Sequence, residues 1–386
     1  MEYTLMNKEE SLLDFEIIKT PLSTHATITK EGDPKRYPFS MSDDIELWLN
    51  NRKAPKHRAH IAKLMNELGV NSLEGFASIT HALSLNDTFW VQEKGQDLKW
   101  RDINLYENEF DEVVSRIAFT GGMYGQKFST TTPETTLSGS FAKCWVREED
   151  GIYLIKAGSD MGAANDGKEP YSEYYACQLS EIICMDATNY ELVHFQGELA
   201  SKCVLFTSEN LGFAPCHDFV KTEKTEDIMR FYDKHDMLDE FRRMVVFDSL
   251  TLNTDRHMGN HGVLFNNDTM EIHSFAPIFD NNYSLLPRMM ENDYGAPYTY
   301  LMTGDPNSKI GNDFNEVANE LMTKEIRADL INLKGFEFKK HPKYNLPDNR
   351  IDVLNNLVNM QIDNIINRKS ISMCAKEEKD LTQSLD

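Results

Sequence analysis

The stretch Asn253-Thr254-Asp255-Arg256-His257-Met258-Gly259-Asn260, with Phe279-Asp280 following further along, constrains this chain more than any other feature. Phosphoryl transfer needs a carboxylate to receive the proton of an attacking hydroxyl, and oxygen ligands that hold Mg²⁺ against nucleotide phosphates. Asp255, Asn260 and Asp280 are residues of those types. Between them, Val263-Leu264-Phe265 and Ile272-His273-Ser274-Phe275 flank the polar turn Asn266-Asn267-Asp268, a pattern that reads as a β-hairpin. A hairpin folds its ends together, so Asn260 and Asp280 are expected side by side.

Upstream, Thr136-Leu137-Ser138-Gly139-Ser140-Phe141-Ala142-Lys143 is a small-residue turn feeding the apolar run Cys144-Trp145-Val146. Glycine and small hydroxyl residues let backbone N–H groups approach phosphate oxygens closely, so Gly139 and Ser140 are candidate nucleotide contacts. Glu148-Glu149-Asp150-Gly151 then turns the chain into Ile152-Tyr153-Leu154-Ile155-Lys156, where a terminal lysine can reach phosphate while its stem packs inside. Ser172 is a candidate N-cap for a helix from Glu173 to Ile183, and Glu173 is the candidate ion partner of Lys156. Cys203-Val204-Leu205-Phe206-Thr207 reads as a short strand. Glu240–Leu250 has helical spacing and leads into the Asp255 loop.

Asp-Arg-His-x-x-Asn followed by a hairpin and a hydrophobic residue plus Asp resembles the catalytic and metal-binding loops of the HipA-like serine/threonine kinases. That family is a branch of the protein-kinase-like fold. Asp280 is followed by Asn281-Asn282 and not by Phe-Gly, which favours this branch over ordinary protein kinases. The resemblance runs over roughly residues 130–370 and is strongest from Leu252 to Asp280. It implies an α+β, two-lobed fold: an accessory subdomain (1–125), a small mixed β-rich nucleotide lobe (126–210), a larger, mainly helical catalytic lobe (211–368) and a mobile tail (369–386). ATP and Mg²⁺ are the implied cofactors. Asp255 becomes the general base, Asn260 and Asp280 the metal ligands, Lys156 the phosphate contact, and backbone near Leu205 and Thr207 the adenine contact. His257 is expected to stabilise the loop, and Arg256 to hold a nearby carboxylate or phosphate. The implied acceptor is a protein serine or threonine, in a toxin–antitoxin setting with an antitoxin protein as partner. In that family the residue opening the small-residue loop can be phosphorylated and eject the loop. Thr136 matches it, with Ser138 and Ser140 nearby.

Two other readings stand beside this one. A lipid or small-molecule kinase shares the Asp-Arg-His-x-x-Asn pattern, although no basic or amphipathic membrane-seeking segment accompanies it. A noncatalytic, kinase-like scaffold is the other.

Bulk properties narrow the partners. Across 386 residues, 62 acidic against 40 basic side chains give a net charge of −22, which disfavours direct contact with nucleic acid or an anionic membrane. The basic cluster Arg52, Lys53, Lys56, His57, Arg58 and His60 lacks interleaved aromatics and reads as a solvated helix face. Cys144, Cys177, Cys184, Cys203, Cys216 and Cys374 show no metal-ligand spacing and are expected reduced and mostly buried. With no signal-like start and no membrane-length apolar run, a cytoplasmic location is expected. No pattern speaks to an oligomeric state.

The remaining segments carry structural expectations. Residues 1 to about 40 read as extended or loosely packed chain. Asp43 and Glu46 have capping-box spacing ahead of one helix, and Pro55 can start a second that stops at Gly69. Leu83–Val91 and Trp100–Leu105 read as edges of a small packed unit. Asn315–Leu333 and Arg350–Asn367 read as helices, the latter with an apolar core stripe. The polar chain from Lys369 reads as mobile.

Overall fold

Alternating burial builds the first sheet. Tyr3 and Leu5 on β1 (Glu2–Asn7) and Leu13, Phe15 and Ile17 on β2 (Glu10–Lys19) are buried, while Asp14 and Glu16 between them stay partly exposed. The computed structural model describes all residues except 21–22, 42–43, 123–131, 164, 305 and 384–386, and the side chains of 382 and 383. With β3 (Thr24–Lys30) and β4 (Phe89–Glu93) these strands form an antiparallel sheet of order β3-β2-β1-β4. Up to residue 30 the chain is therefore largely extended, one of the two alternatives expected, and is paired into a sheet instead of loosely packed. Its period-two pattern was diluted by the charged residues that cover the outer face.

Between β3 and β4 lie α1 (Ile45–Arg52), α2 (Ile61–Leu68) and α3 (Leu73–Thr80). Asp44 caps α1, its carboxylate accepting the Leu47 N–H at 2.9 Å; the expected capping residue, Asp43, lies outside the described residues. Helix α2 begins at Ile61, not at Pro55, whose carbonyl accepts the Arg58 N–H to close a turn. It ends at Gly69 in the left-handed conformation, as expected. After β4 come α4 (Trp100–Ile103) and α5 (Glu112–Thr120). Leu83, Leu85, Trp90, Trp100 and Ile103 form one apolar cluster with Trp145 and Ile152 of the following sheet.

The basic cluster is only partly a solvated face: Lys56, His57 and His60 are exposed, whereas the two arginines are paired. Arg52 makes a two-pronged pair with Asp87, at 2.6 and 2.8 Å. Arg58, fully buried, pairs with Glu134 at 3.5 Å and donates to the carbonyls of Glu134 and Leu137. These arginines join segments far apart in sequence.

The second sheet holds β5 (Lys143–Glu148), β6 (Gly151–Ala157), β7 (Tyr190–Phe195) and β8 (Glu198–Val204) in the order β5-β6-β8-β7, all antiparallel. Helix α6 (Glu169–Ile183) packs on it. This helix starts before Ser172, because Pro170 supplies a helix-compatible φ in the first turn and Ser172 is buried inside the helix. Strand β8 ends at Val204, so Leu205–Ser208 is irregular chain and not strand.

The third sheet pairs β10 (Gly262–Asn266) with β11 (Ile272–Phe275) as the expected hairpin and with β9 (Leu211–Pro215) on its other side. Helices α7 (Cys216–Phe219), α8 (Thr225–Lys234) and α9 (Leu238–Thr251) connect β9 to the loop before β10. Beyond the hairpin come α10 (Pro297–Thr303), α11 (Phe314–Leu321), α12 (Lys324–Asn332), α13 (Asp348–Ile366) and α14 (Ile371–Gln383). The helix expected over Asn315–Leu333 is thus two, divided where Thr323 caps α12 by accepting the Ile326 N–H. The expected mobile tail is instead α14, which buries Ile371, Cys374 and Ala375 against α10. Its apolar residues are too sparse to stand out in a polar sequence. Tyr3 and Phe15 of the first sheet share one connected core with Phe241, Val246 and Ile362 of the helices. All six thiols are free, and all but Cys184 are buried.

Candidate active site

The Asp255 loop is built on the end of α9. Leu252, in the left-handed conformation, turns the chain off the helix, and the Asn253 N–H returns to the Asp248 carbonyl at 2.9 Å. Asn253 then accepts the Asp255 N–H at 3.1 Å through its side-chain oxygen. Downstream, the Asn260 amide donates to the Asp255 carbonyl at 3.0 Å, which leaves the Asn260 side-chain oxygen as the group able to meet a cation. His257 is exposed and its Nδ1 accepts the Gly259 N–H at 3.0 Å, a loop-stabilising bond of the kind expected.

Arg256 is fully buried and organises the region. Its Nε lies 3.0 and 3.1 Å from the two carboxylate oxygens of Asp248. The same guanidinium donates to the Asn260 carbonyl at 3.0 Å, to the Asn281 side-chain oxygen at 2.6 Å and to the Phe279 carbonyl. One rigid fork thus ties the helix, the Asp255 loop and the chain on both sides of Asp280.

The hairpin brings Asp280 back to this loop. Gly262 allows it: a Cβ there would collide with the backbone of Ala214 and Pro215 on the neighbouring strand. The segment before Asp280 is hooked to the second sheet, Thr188 N–H donating to the Ile278 carbonyl at 2.8 Å and Ile278 N–H to the Asp186 carbonyl at 3.1 Å. Phe279 packs among Phe206 and Phe213, with ring centroids 5.3 and 5.4 Å away. Asp280 itself has φ +56°, and its N–H donates to the Tyr190 hydroxyl at 3.0 Å.

Lys156 projects from β6, an interior strand. Its ammonium meets Asp280 Oδ1 at 2.6 Å and also forms an ion pair with Glu173 of α6. Glu173 in turn accepts the Asn281 N–H at 3.1 Å. Burial disfavours the Lys156 charge, but Asp280 and Glu173 outweigh it and hold the ammonium protonated above the usual lysine range. Burial likewise opposes the Asp280 charge, yet Lys156 and Lys143 hold that carboxyl down at about 2. Asp255 moves the other way: burial and the negative charge of Asp280 raise it against the pull of His257. A carboxylate of raised basicity suits proton acceptance.

In the sequence, Lys143 stands only as the end of the small-residue turn. It lies directly opposite Lys156 in the β5–β6 register, so both side chains leave the same face of the sheet. Burial and the neighbouring ammonium lower Lys143 to about 7. Hairpin arithmetic around the Glu149-Asp150 turn is the sequence signal that pairs it with Lys156. Gly139 has φ +89° directly over Lys143, and a side chain there would strike its ammonium.

A cleft of about 840 Å³ lies here; Lys156 and Glu173, both buried, are not among its lining residues. Asp255, Asn260 and Asp280 line it together with Ser138, Gly139, Ser140 and Lys143. Trp48, Asn51 and Asp87 of the N-terminal region form another part of its wall, a contribution without a sequence motif. Thr136 borders the cleft, but its hydroxyl donates to the Leu83 and Pro133 carbonyls at 2.9 and 3.2 Å. Leu205 and Thr207 are not among its lining residues. The Leu205 N–H already donates to the Ile152 carbonyl at 2.8 Å, and the Thr207 hydroxyl donates to the Leu85 carbonyl.

No family model and no curated protein matches this sequence. Among solved structures, the chain is similar to HipA of Shewanella oneidensis MR-1, determined as part of a toxin–antitoxin complex of HipA, HipB and operator DNA. The TM-score is 0.50 at 12% identity, covering 95% of this chain and 99% of that one. The chain has a HipA-like fold. The Helicobacter pylori proinflammatory kinase CtkA also matches, at TM-score 0.43 and 17% identity over 65% of this chain and 96% of that one. At 12% identity the likeness to the Shewanella HipA concerns the fold alone. Within it, no helix among the described residues is long and apolar enough to cross a membrane.

Proposed function

We propose that this chain is a HipA-like kinase that transfers the γ-phosphoryl group of ATP to a serine or threonine hydroxyl of a protein. The observation that carries this reading is that Asp255, Asn260 and Asp280 line one cleft, with the buried Lys156–Glu173 pair joined to it through the Lys156–Asp280 contact. The residues fit Mg²⁺ and a nucleotide. Among the described residues no three His, Cys, Asp or Glu side chains gather to hold a metal by themselves. Asn260 and Asp280 offer two hard oxygens, the partial ligand set of a cation whose other ligands are phosphate and water. Gly139 keeps the space above Lys143 clear of a side chain.

In this reading bound Mg²⁺–ATP supplies the phosphoryl group and neutralises its charge. Asp255 orients the acceptor hydroxyl and takes its proton, helped by its raised basicity. Lys156 binds phosphate oxygens, Glu173 holds that lysine in place, and Lys143 adds a second cation from the adjacent strand. Backbone N–H groups at Gly139 and Ser140 cover the phosphates, and Asn260 and Asp280 hold the metal. The adenine contact expected near Leu205 and Thr207 has no support from the cleft lining and is not part of this reading. The accessory region, small lobe and helical lobe then correspond to residues 1–125, 126–210 and 211–368.

Self-regulation by phosphorylation of the small-residue loop belongs to the same proposal. Ser138 and Ser140 line the cleft, whereas the Thr136 hydroxyl is tied inward, so the two serines are the better-placed acceptors. Mass spectrometry after incubation with ATP tests this: an active preparation with Thr136, Ser138 and Ser140 all unmodified ends it. A toxin role with an antitoxin partner is supported by the HipA-like fold. The Shewanella HipA was solved with operator DNA as well as HipB, so the exclusion of nucleic acid drawn from net charge is not carried further.

Radiolabel transfer from ATP to protein, lipid and nucleoside acceptors, assayed in parallel with wild type and Asp255→Ala, decides the function. Label on protein with wild type and a loss of about 10²–10⁴-fold in the variant is expected. Equal transfer by both proteins, or label confined to lipid or nucleoside, would overturn the proposal.

A further inference from the structure

A second cavity, of about 180 Å³, lies where the starts of α6 and α13 meet the chain following Asp280. Its wall is largely apolar and aromatic, with Tyr171, Tyr175, Leu285, Met289, Leu346 and Leu354 among its lining. An apolar cavity of roughly 150 Å³ accommodates a benzene ring.

Arg350 faces this space although it is only 4% exposed. Its Nη2 donates to the carbonyls of Leu285 and Leu286 at 3.0 and 2.7 Å, and its guanidinium lies 5.1 Å from the centre of the Tyr294 ring. The other terminal nitrogen, Nη1, is buried and meets no hydrogen-bond acceptor. Among the described residues no carboxylate forms an ion pair with Arg350. Burial lowers its pKa, with only the Tyr294 and Tyr300 hydroxyls opposing. An arginine does not shed its proton in a protein, so a buried guanidinium with a spare donor calls for an anion.

Two helix starts add to that demand. Lys168 stands at the N-cap of α6 and Pro347 at that of α13, and neither side chain caps its helix. Lys168 and Pro347 both line the cavity, bringing the positive ends of two helix dipoles to its edge. The nearby acids are engaged elsewhere. Glu169 pairs with Arg288 and accepts the Ser159 N–H, Asp348 pairs with Lys340, and the exposed Glu291 at the rim accepts from Asn349.

We propose that this cavity binds a small organic anion, a carboxylate or phosphate monoester carrying about one ring of apolar surface. Arg350 and Lys168 meet the charge and the tyrosine and leucine side chains cover the ring. This inference does not depend on the kinase reading.

Saturation-transfer NMR titrations of the full chain with benzoate, phenyl phosphate and the neutral benzyl alcohol test it. Saturable binding of benzoate or phenyl phosphate is expected, with benzyl alcohol weaker by about tenfold or more. Arg350→Met should weaken the anion by about tenfold or more. Because Arg350 also holds two carbonyls, Lys168→Glu serves as the second variant, reversing a charge at the partly exposed rim, and it should weaken the anion similarly. The proposal is overturned if neither anion binds saturably, if the alcohol binds as tightly, or if Lys168→Glu binds the anion as wild type does.

Discussion

The ammonium of Lys156 and the carboxylate of Asp280, 124 residues apart in sequence, meet at 2.6 Å inside the protein. The contact joins the second sheet to the end of the β10–β11 hairpin, so it links folding to the geometry of the cleft. It also has a pH signature. The Asp280 pKa is depressed on folding, from 3.8 to about 2, so the stability it confers is present above about pH 4 and is lost as pH falls toward about 2. Acid titrations of wild type and Asp280→Asn should show the stability difference between them narrowing across that window. A difference independent of pH between 4 and 2 would refute the assignment.

Lys143 should behave in the opposite sense. Its folded pKa lies near 7, below the ordinary 10.5, so the unfolded chain binds more protons between those values and wild-type stability rises with pH. Lys143→Met is therefore expected to be more stable than wild type below about pH 7, and to lose that advantage as pH approaches the ordinary lysine value. On the kinase reading the same substitution should raise KM for ATP. Denaturant unfolding at pH 6, 8 and 10 checks the first expectation, and steady-state kinetics the second.

Removing Arg256 leaves Asp248 charged and buried with its main partner gone. Arg256→Met should cost about 3–5 kcal/mol, visible as an earlier urea midpoint. Arg256→Lys should recover little of it, because one ammonium cannot serve Asp248, Asn260, Phe279 and Asn281 together. Full stability in the lysine variant would show that the fork geometry is dispensable.

Gly139→Ala places a Cβ at φ +89° against the Lys143 ammonium. The backbone strain alone is about 1–2 kcal/mol. On the kinase reading, KM for ATP should rise while the affinity for a protein acceptor stays unchanged. An unaltered KM would remove Gly139 from the phosphate contacts.

How far the site was legible depended on how local each signal was. Asp255, Asn260 and the hairpin that returns Asp280 lie within one short segment, so residue type and spacing sufficed to bring them together. The Lys156–Glu173 pair was readable from a strand followed by a helix, although Pro170 lets that helix start earlier than Ser172 suggests. Lys143 escaped because its importance lies in its register opposite Lys156. Arg52 and Arg58 looked like solvated charges because Asp87 and Glu134, which neutralise them, are distant in sequence. The N-terminal sheet and α14 were overlooked for a related reason: burial of a few alternating residues outweighs a polar average only after packing.

Local composition and spacing alone set the Asp255 loop, its hairpin and helices such as α6, α9 and α13, because hydrogen bonds and apolar periodicity act over a few residues. Tertiary structure decided which charges are paired, which donors are already spent and which lysines share a face. Those depend on distances between segments and on exclusion of water, and neither is written at any single position of the chain.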